Sequence, residues 1–173
     1  MSSPSLVTVD ESLNLTALLR DRAAANPAAP FAEIKDDAGA WSPVSLSEFE
    51  SRVRAVAKGL IAQGVAAGDR VGIMGDTSLE WSVMDFAVLA AGGVSVPIYP
   101  SSSAKQCEWI VEDAGLKVVA AQTEEQRAML AGLDASPAVL ALTRDGLDEV
   151  AAAGTGVTDE DLDARTADVV LDD

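Results

Sequence analysis

Residues 68–103 read GDRVGIMGDTSLEWSVMDFAVLAAGGVSVPIYPSSS, and their reading decides the fold class. Gly68-Asp69 turns the chain into a strand over Arg70–Gly75. Thr77-Ser-Leu-Glu80 has the form of a capping box, in which a hydroxyl and an acid three residues later satisfy free N–H groups at a helix start. The helix behind it is apolar nearly all round, with Ser78, Ser82 and Asp85 as one narrow polar stripe. A helix of that kind belongs deep in a domain rather than on its rim. Val94–Ile98 reads as a short buried strand, and Pro97-Ile-Tyr-Pro-Ser-Ser-Ser103 as the turn that opens the next helix.

Toward the N-terminus, Asn14 is placed to cap a helix carrying Leu15, Leu18 and Leu19, which stops at Asn26-Pro27 because proline cannot continue it. Phe31–Lys35 and Ala40–Val44 flank Asp-Asp-Ala-Gly (36–39), the signature of a β-hairpin. Ser45-Leu-Ser-Glu48 is another capping box; behind it Leu46, Phe49, Val53, Val56 and Leu60 recur at three- and four-residue steps, and Gly64 suits the left-handed residue that ends such a helix. Toward the C-terminus, a helix begins near Ser103-Ala-Lys-Gln106 with Ala104, Cys107, Val111 and Ala114 on one face. A strand at Lys117–Ala121, a helix capped by Thr123-Glu-Glu-Gln126 and a strand at Ala138–Leu142 follow. Strands alternating with helical segments call for crossover connections and an α/β fold: a mostly parallel sheet with flanking helices, preceded by a helix and a β-hairpin. The expected organisation is a helix and hairpin over 1–45, the α/β unit over 46–142, and an acidic linker or weakly ordered tail over 143–173, where periodicity fades and Ala-Ala-Ala-Gly-Thr-Gly (151–156) reads as a loop.

Composition narrows the function. The 173 residues are long enough to bury a core, and with few aromatics that core must be built from Ala, Val, Leu and Ile. Asp and Glu number 28 against 12 Lys and Arg, and ten of those acids but only Arg165 among bases fall between Asp145 and Asp173. Nucleic acid is excluded as a partner, because phosphate neutralisation needs clustered cations; docking on an anionic bilayer is disfavoured for the same reason. Cys107 stands alone, which fits a reducing cytoplasm. There is no His, so the commonest general base is missing. MSSPSLVTVDESLN lacks the basic and apolar parts of a signal peptide, and the apolar stretch around Val83–Val94 is too short for a transmembrane segment.

Residues that could carry chemistry mostly have simpler readings. Gly68, Gly72 and Gly75 invite comparison with a dinucleotide fingerprint, but Gly72 falls inside the strand rather than in the turn after it. Ser101, Ser102 and Ser103 stand at a helix start, where anions are favoured, yet with only Lys105 nearby they read as caps. Asp76 reads as a cap and Asp85 as part of a polar stripe rather than as a carboxylate pair. Cys107 lies on an apolar face with no His to activate it, so it reads as a structural thiol. Trp81 and Trp109 read as core and rim aromatics. No catalytic, cofactor-binding or metal-binding residue is assigned.

Taken together, RVGIMGDTSLEWSVMDFAVLAAGGVSVPIYPSSSAKQCEWIVEDAGLKVVAAQTEEQ resembles the N-terminal part of adenylate-forming (AMP-binding) enzymes, and within them is most similar to bacterial long-chain fatty acyl-CoA synthetases. LAAGGVSVPIYPSSS (89–103) resembles their early segment, an Ala-Gly pair before a Val-Pro-hydrophobic strand; WSPVSLSEFESRV (41–53) resembles the entry to the preceding helix. The resemblance implies a ligase that joins ATP and a fatty acid to acyl-adenylate and pyrophosphate with Mg²⁺, then passes the acyl group to coenzyme A. The phosphate loop ending in Pro-Lys-Gly, the ribose-binding acid, the hinge and the C-terminal lysine of that family have no matching positions here. Asp168-Val-Val-Leu-Asp-Asp173 resembles the approach to that loop. The expectation is therefore a scaffold subdomain, without ATP, Mg²⁺ or coenzyme A of its own, inactive alone, whose partners are the remaining subdomains of the synthetase. A free-standing binding module using the strand ends near Asp76 and Tyr99–Ser103, or a truncated paralogue pairing with a full-length enzyme, is the alternative. An uncovered apolar face would favour self-association.

Overall fold

In the computed structural model, residues 14–35 and 38–169 are described. Asn14 caps α1 (Leu15–Ala25), its side-chain oxygen accepting from the Ala17 N–H at 2.8 Å. β1 (Pro30–Lys35) and β2 (Trp41–Ser45) pair antiparallel, with Ile34 opposite Ser42. Asp36 and Asp37 of the expected turn lie outside the described residues, as do 1–13 and 170–173. Ser45 caps α2 (Leu46–Ala62) by accepting from the Glu48 N–H, and Gly64 beyond its end has φ +93°. Phe49, fully buried on α2, joins three elements: its ring stacks on Phe31 of the hairpin and meets Phe86 edge-on.

The core unit follows in strict alternation. β3 (Arg70–Met74) leads to α3 (Leu79–Ala90) and β4 (Val94–Ile98); α4 (Ala104–Ala114) leads to β5 (Val118–Ala121), and α5 (Glu124–Ala131) to β6 (Ala138–Ala141). The four strands form one parallel sheet in the order β4-β3-β5-β6. Two-residue alternation along the strands divides their side chains between two cores. Val71, Ile73 and Ala120 join the core built with α1, α2 and α3, whereas Met74, Val119 and Ala121 join the one built with Cys107 and Val111 of α4 and Leu130 of α5. The product is three layers, helix on sheet on helix.

The expectation for β4 needs correction. It is an edge strand, with Val94 43 % exposed and Pro97 exposed, because the chain returns past β3 to lay β5 on the far side. Pro97 has no N–H to offer a second neighbour, which suits an edge. Ala104, grouped with Cys107 and Val111, is exposed at the first turn of α4.

The larger correction concerns residues beyond 143. In place of an irregular linker, Thr143 caps α6 (Arg144–Ala153), a 3-10 turn spans Gly154–Gly156, and Thr158 caps α7 (Asp159–Ala167). Leu147, Val150 and Leu162 are buried in the same core as Phe49 and Leu60. α6 approaches α2 closely because Gly59 and Gly154 carry no side chain where the two backbones touch. Among the described acids, Asp145, Asp159, Glu160 and Asp161 stand in the first turns of α6 and α7, where the helix dipole favours them, and Asp148 and Glu149 are exposed.

Candidate functional site

In open parallel sheets the place for a ligand is the crevice at the carboxyl ends of the strands, where neighbouring connections leave toward opposite faces. Here those ends carry Gly75-Asp76-Thr77 after β3, Tyr99-Pro100 after β4, and Gln122 after β5. A groove of about 330 Å³ opens between the first two and is lined by Gly75, Asp76, Thr77, Trp81, Pro97 and Tyr99, among others. Trp81 is half-buried, and Tyr99 is 81 % exposed.

The rim is held by side-chain amides. The Asp76 N–H donates to Gln122 Oε1 at 2.9 Å, and Gln126 Nε2 donates to the Pro100 carbonyl at 3.3 Å. Arg127, a cation close to these ends, is turned onto the rim itself. Its Nη1 donates to the carbonyls of Ala121 and Gln122, and its Nη2 pairs with Glu124 at 2.6 Å.

Asp76 therefore does not cap α3, and neither does Thr77. Its tie to Gln122 carries the chain one residue further before the helix begins. Ser78 is the cap and accepts from the Trp81 N–H at 3.1 Å. Asp85 is half-buried on the α3 stripe and is not brought to Asp76 by the groove.

Gly72 and Gly75 are packed closely by neighbouring side chains, and Gly68 serves a turn. A β-carbon at Gly72 would meet Leu116 and Val119, and one at Gly75 would meet Leu142 and Gln122; Gly68 is a turn residue with φ +78°. Ser103 completes a reciprocal capping box with Gln106, its hydroxyl donating to Gln106 Oε1 at 2.9 Å. Cys107 is buried, and burial pushes its thiol pKa up, away from the nucleophilic thiolate. Trp109 is 64 % exposed on the outer face of α4.

The groove thus offers aromatic and proline surface, a carboxylate and a hydroxyl. A triphosphate with Mg²⁺ does not fit this lining, which contains no Lys or Arg to neutralise it. Among the described residues no cluster of three or more His, Cys, Asp or Glu is placed to hold a metal. Also among the described residues, no helix is long and apolar enough to cross a membrane.

A four-stranded parallel sheet between helix layers, entered through a helix and hairpin, is the N-terminal architecture of adenylate-forming ligases, and the chain matches the family described as AMP-binding enzyme over residues 19–170. The chain belongs to that family. Among curated proteins it is 39% identical to the long-chain-fatty-acid–CoA ligase FadD15 of Mycobacterium bovis and 38% identical to that of Mycobacterium tuberculosis. Each match covers 96% of this chain, which spans only 29% of the length of those relatives. Among solved structures, the N-terminal domain of FACL13 from Mycobacterium tuberculosis superposes with a TM-score of 0.69 at 23% identity, covering 80% of this chain and 35% of that one. MatB from Rhodopseudomonas palustris gives 0.67 at 30% identity over 80% of this chain and 28% of that one.

Proposed function

We propose that this chain is the N-terminal scaffold of a long-chain fatty acid–CoA ligase and does not form acyl-adenylate by itself. The observation that carries the reading is the 39% identity to FadD15 across 96% of the chain. In the complete reaction a carboxylate oxygen of the fatty acid attacks the α-phosphorus of ATP and pyrophosphate leaves. The thiol of coenzyme A then attacks the acyl carbon and AMP leaves. Both steps need cationic stabilisation of phosphate charge, which the groove at the strand ends does not offer. The chain's part is to position. Its rigid sheet and the Trp81–Tyr99 rim present a wall against which the ATP- and coenzyme A-binding remainder of the enzyme closes, in the cytoplasm.

Two measurements test this. The purified 173-residue protein should give no fatty-acid-dependent exchange of pyrophosphate into ATP; exchange above a no-protein control overturns the claim of inactivity. Substituting this chain for the matching region of FadD15 should give a soluble enzyme that makes acyl-CoA, and a folded but inactive chimera counts against the scaffold role. The groove beside the exposed Tyr99 supports a second reading, a free-standing binding module; a small ligand that shifts Trp81 fluorescence without any other subdomain would favour it.

A further inference from the structure

α7 has the sequence Asp-Glu-Asp-Leu-Asp-Ala-Arg-Thr-Ala, and its one large apolar side chain, Leu162, is buried. Most of its remaining attachments are polar. Arg54 of α2 reaches it twice, Nη1 to Asp163 and Nη2 to Asp159, both at 2.6 Å. Lys58 adds a 2.8 Å contact to Asp159, and Arg20 of α1 stands 4.0 Å from Asp163. Arg165 donates to the Val65 carbonyl at 2.8 Å, Thr166 to the Ala90 carbonyl at 2.9 Å, and Asn14 to the carbonyls of Thr166 and Val169. Glu50 lies in the same cluster, 3.8 Å from Arg54, and burial pushes its carboxyl pKa up while Arg54 opposes the shift. Three cations (Arg20, Arg54, Lys58) thus meet three carboxylates (Glu50, Asp159, Asp163) at the seam between α7 and the rest of the domain.

We propose that α7 is an ionic clasp, a helix held chiefly by charge that lifts away as a unit when ionic strength screens the Arg54 cluster, while the sheet stays folded. One buried leucine is a small apolar anchor for a nine-residue helix. An isolated helix of that length is not stable in water, so detachment and melting coincide. Asp159 is well exposed, and such pairs are the ones that dissolved salt weakens most. Release of α7 frees the Val65 and Ala91 carbonyls and breaks the bonds from Asn14 to the carbonyls of Thr166 and Val169.

Hydrogen–deuterium exchange on the full chain tests it, at about 0.05 M and about 1 M NaCl, a range over which the screening length falls several-fold. Amides of α7 should exchange about tenfold faster at high salt, as expected when several partly exposed ion pairs fail together, with β3 and α4 unchanged. Arg54→Met should exchange fast at both salts and lose the salt response. Equal α7 protection at the two salts, parallel loosening of α7 and sheet, or an Arg54→Met protein that keeps the wild-type response would each overturn the clasp. If that variant fails to fold, the wild-type comparison decides alone.

Discussion

A β-carbon at Gly59 would sit 1.9 Å from the carbonyl oxygen of Val150, and one at Gly154 would sit 2.5 Å from the Gly59 nitrogen. Two helices lie in backbone contact there, and neither residue tolerates a methyl group without the pair moving apart. Alanine is the better helix former by about 1 kcal/mol, but overpacking against a fixed backbone costs more. Gly59→Ala should lower stability by about 2–3 kcal/mol in urea unfolding. Gly132→Ala is the contrast: its φ is −90° and the nearest atoms lie 3.5 Å away, so stability should stay level or rise by about 0.5 kcal/mol. If the two variants behave alike, the backbone contact is not as tight as described. Nothing in the neighbouring sequence announces this role for Gly59, because its partner lies some ninety positions further along the chain.

At the level of elements, the caps show what local chemistry can and cannot reveal. Ser45, Ser103 and Thr123 are legible because a hydroxyl three residues before its donor is a short-range pattern, and each is the observed cap. At α3 the same pattern points one residue early, since the link from Asp76 to Gln122 spans 46 positions and delays the helix start. Ser78→Ala should therefore cost about 1 kcal/mol and Thr77→Ala close to nothing; the reverse order in thermal melts would restore Thr77 as the cap. α6 and α7 were hidden for a related reason. Thr158-x-x-Asp161 is a working capping box and Leu147, Val150 and Gly154 share one face, but the surrounding acids drown so sparse a signal. What makes these helices fold is distant: Arg54 for α7, and the surface of α2 for α6. The groove was half-legible by the same measure. Asp76 and Tyr99 could be placed at strand ends, whereas Trp81 as part of its lining and Arg127 as a rim brace depend on how the strands are ordered.

For the molecule as a whole, burial of Leu147 and Val150 in the main core makes α6 part of the folding unit rather than an appendage. Each such side chain contributes about 1.5–3 kcal/mol when buried, so the two together are a sizeable share of the net stability of an ordinary domain, about 5–15 kcal/mol. A chain cut after Leu142 should consequently lose cooperative urea unfolding and bind a hydrophobic dye, while the intact protein unfolds in one transition by both circular dichroism and tryptophan fluorescence. A sharp transition in the shortened chain would show instead that the α/β unit ends where the strands do. Asn14, before the first helix, bonds the carbonyl of Val169, after the last. The path from 14 to 169 is a closed circuit: it returns to where it set out, so the unit adds bulk but almost no length to any longer polypeptide that contains it.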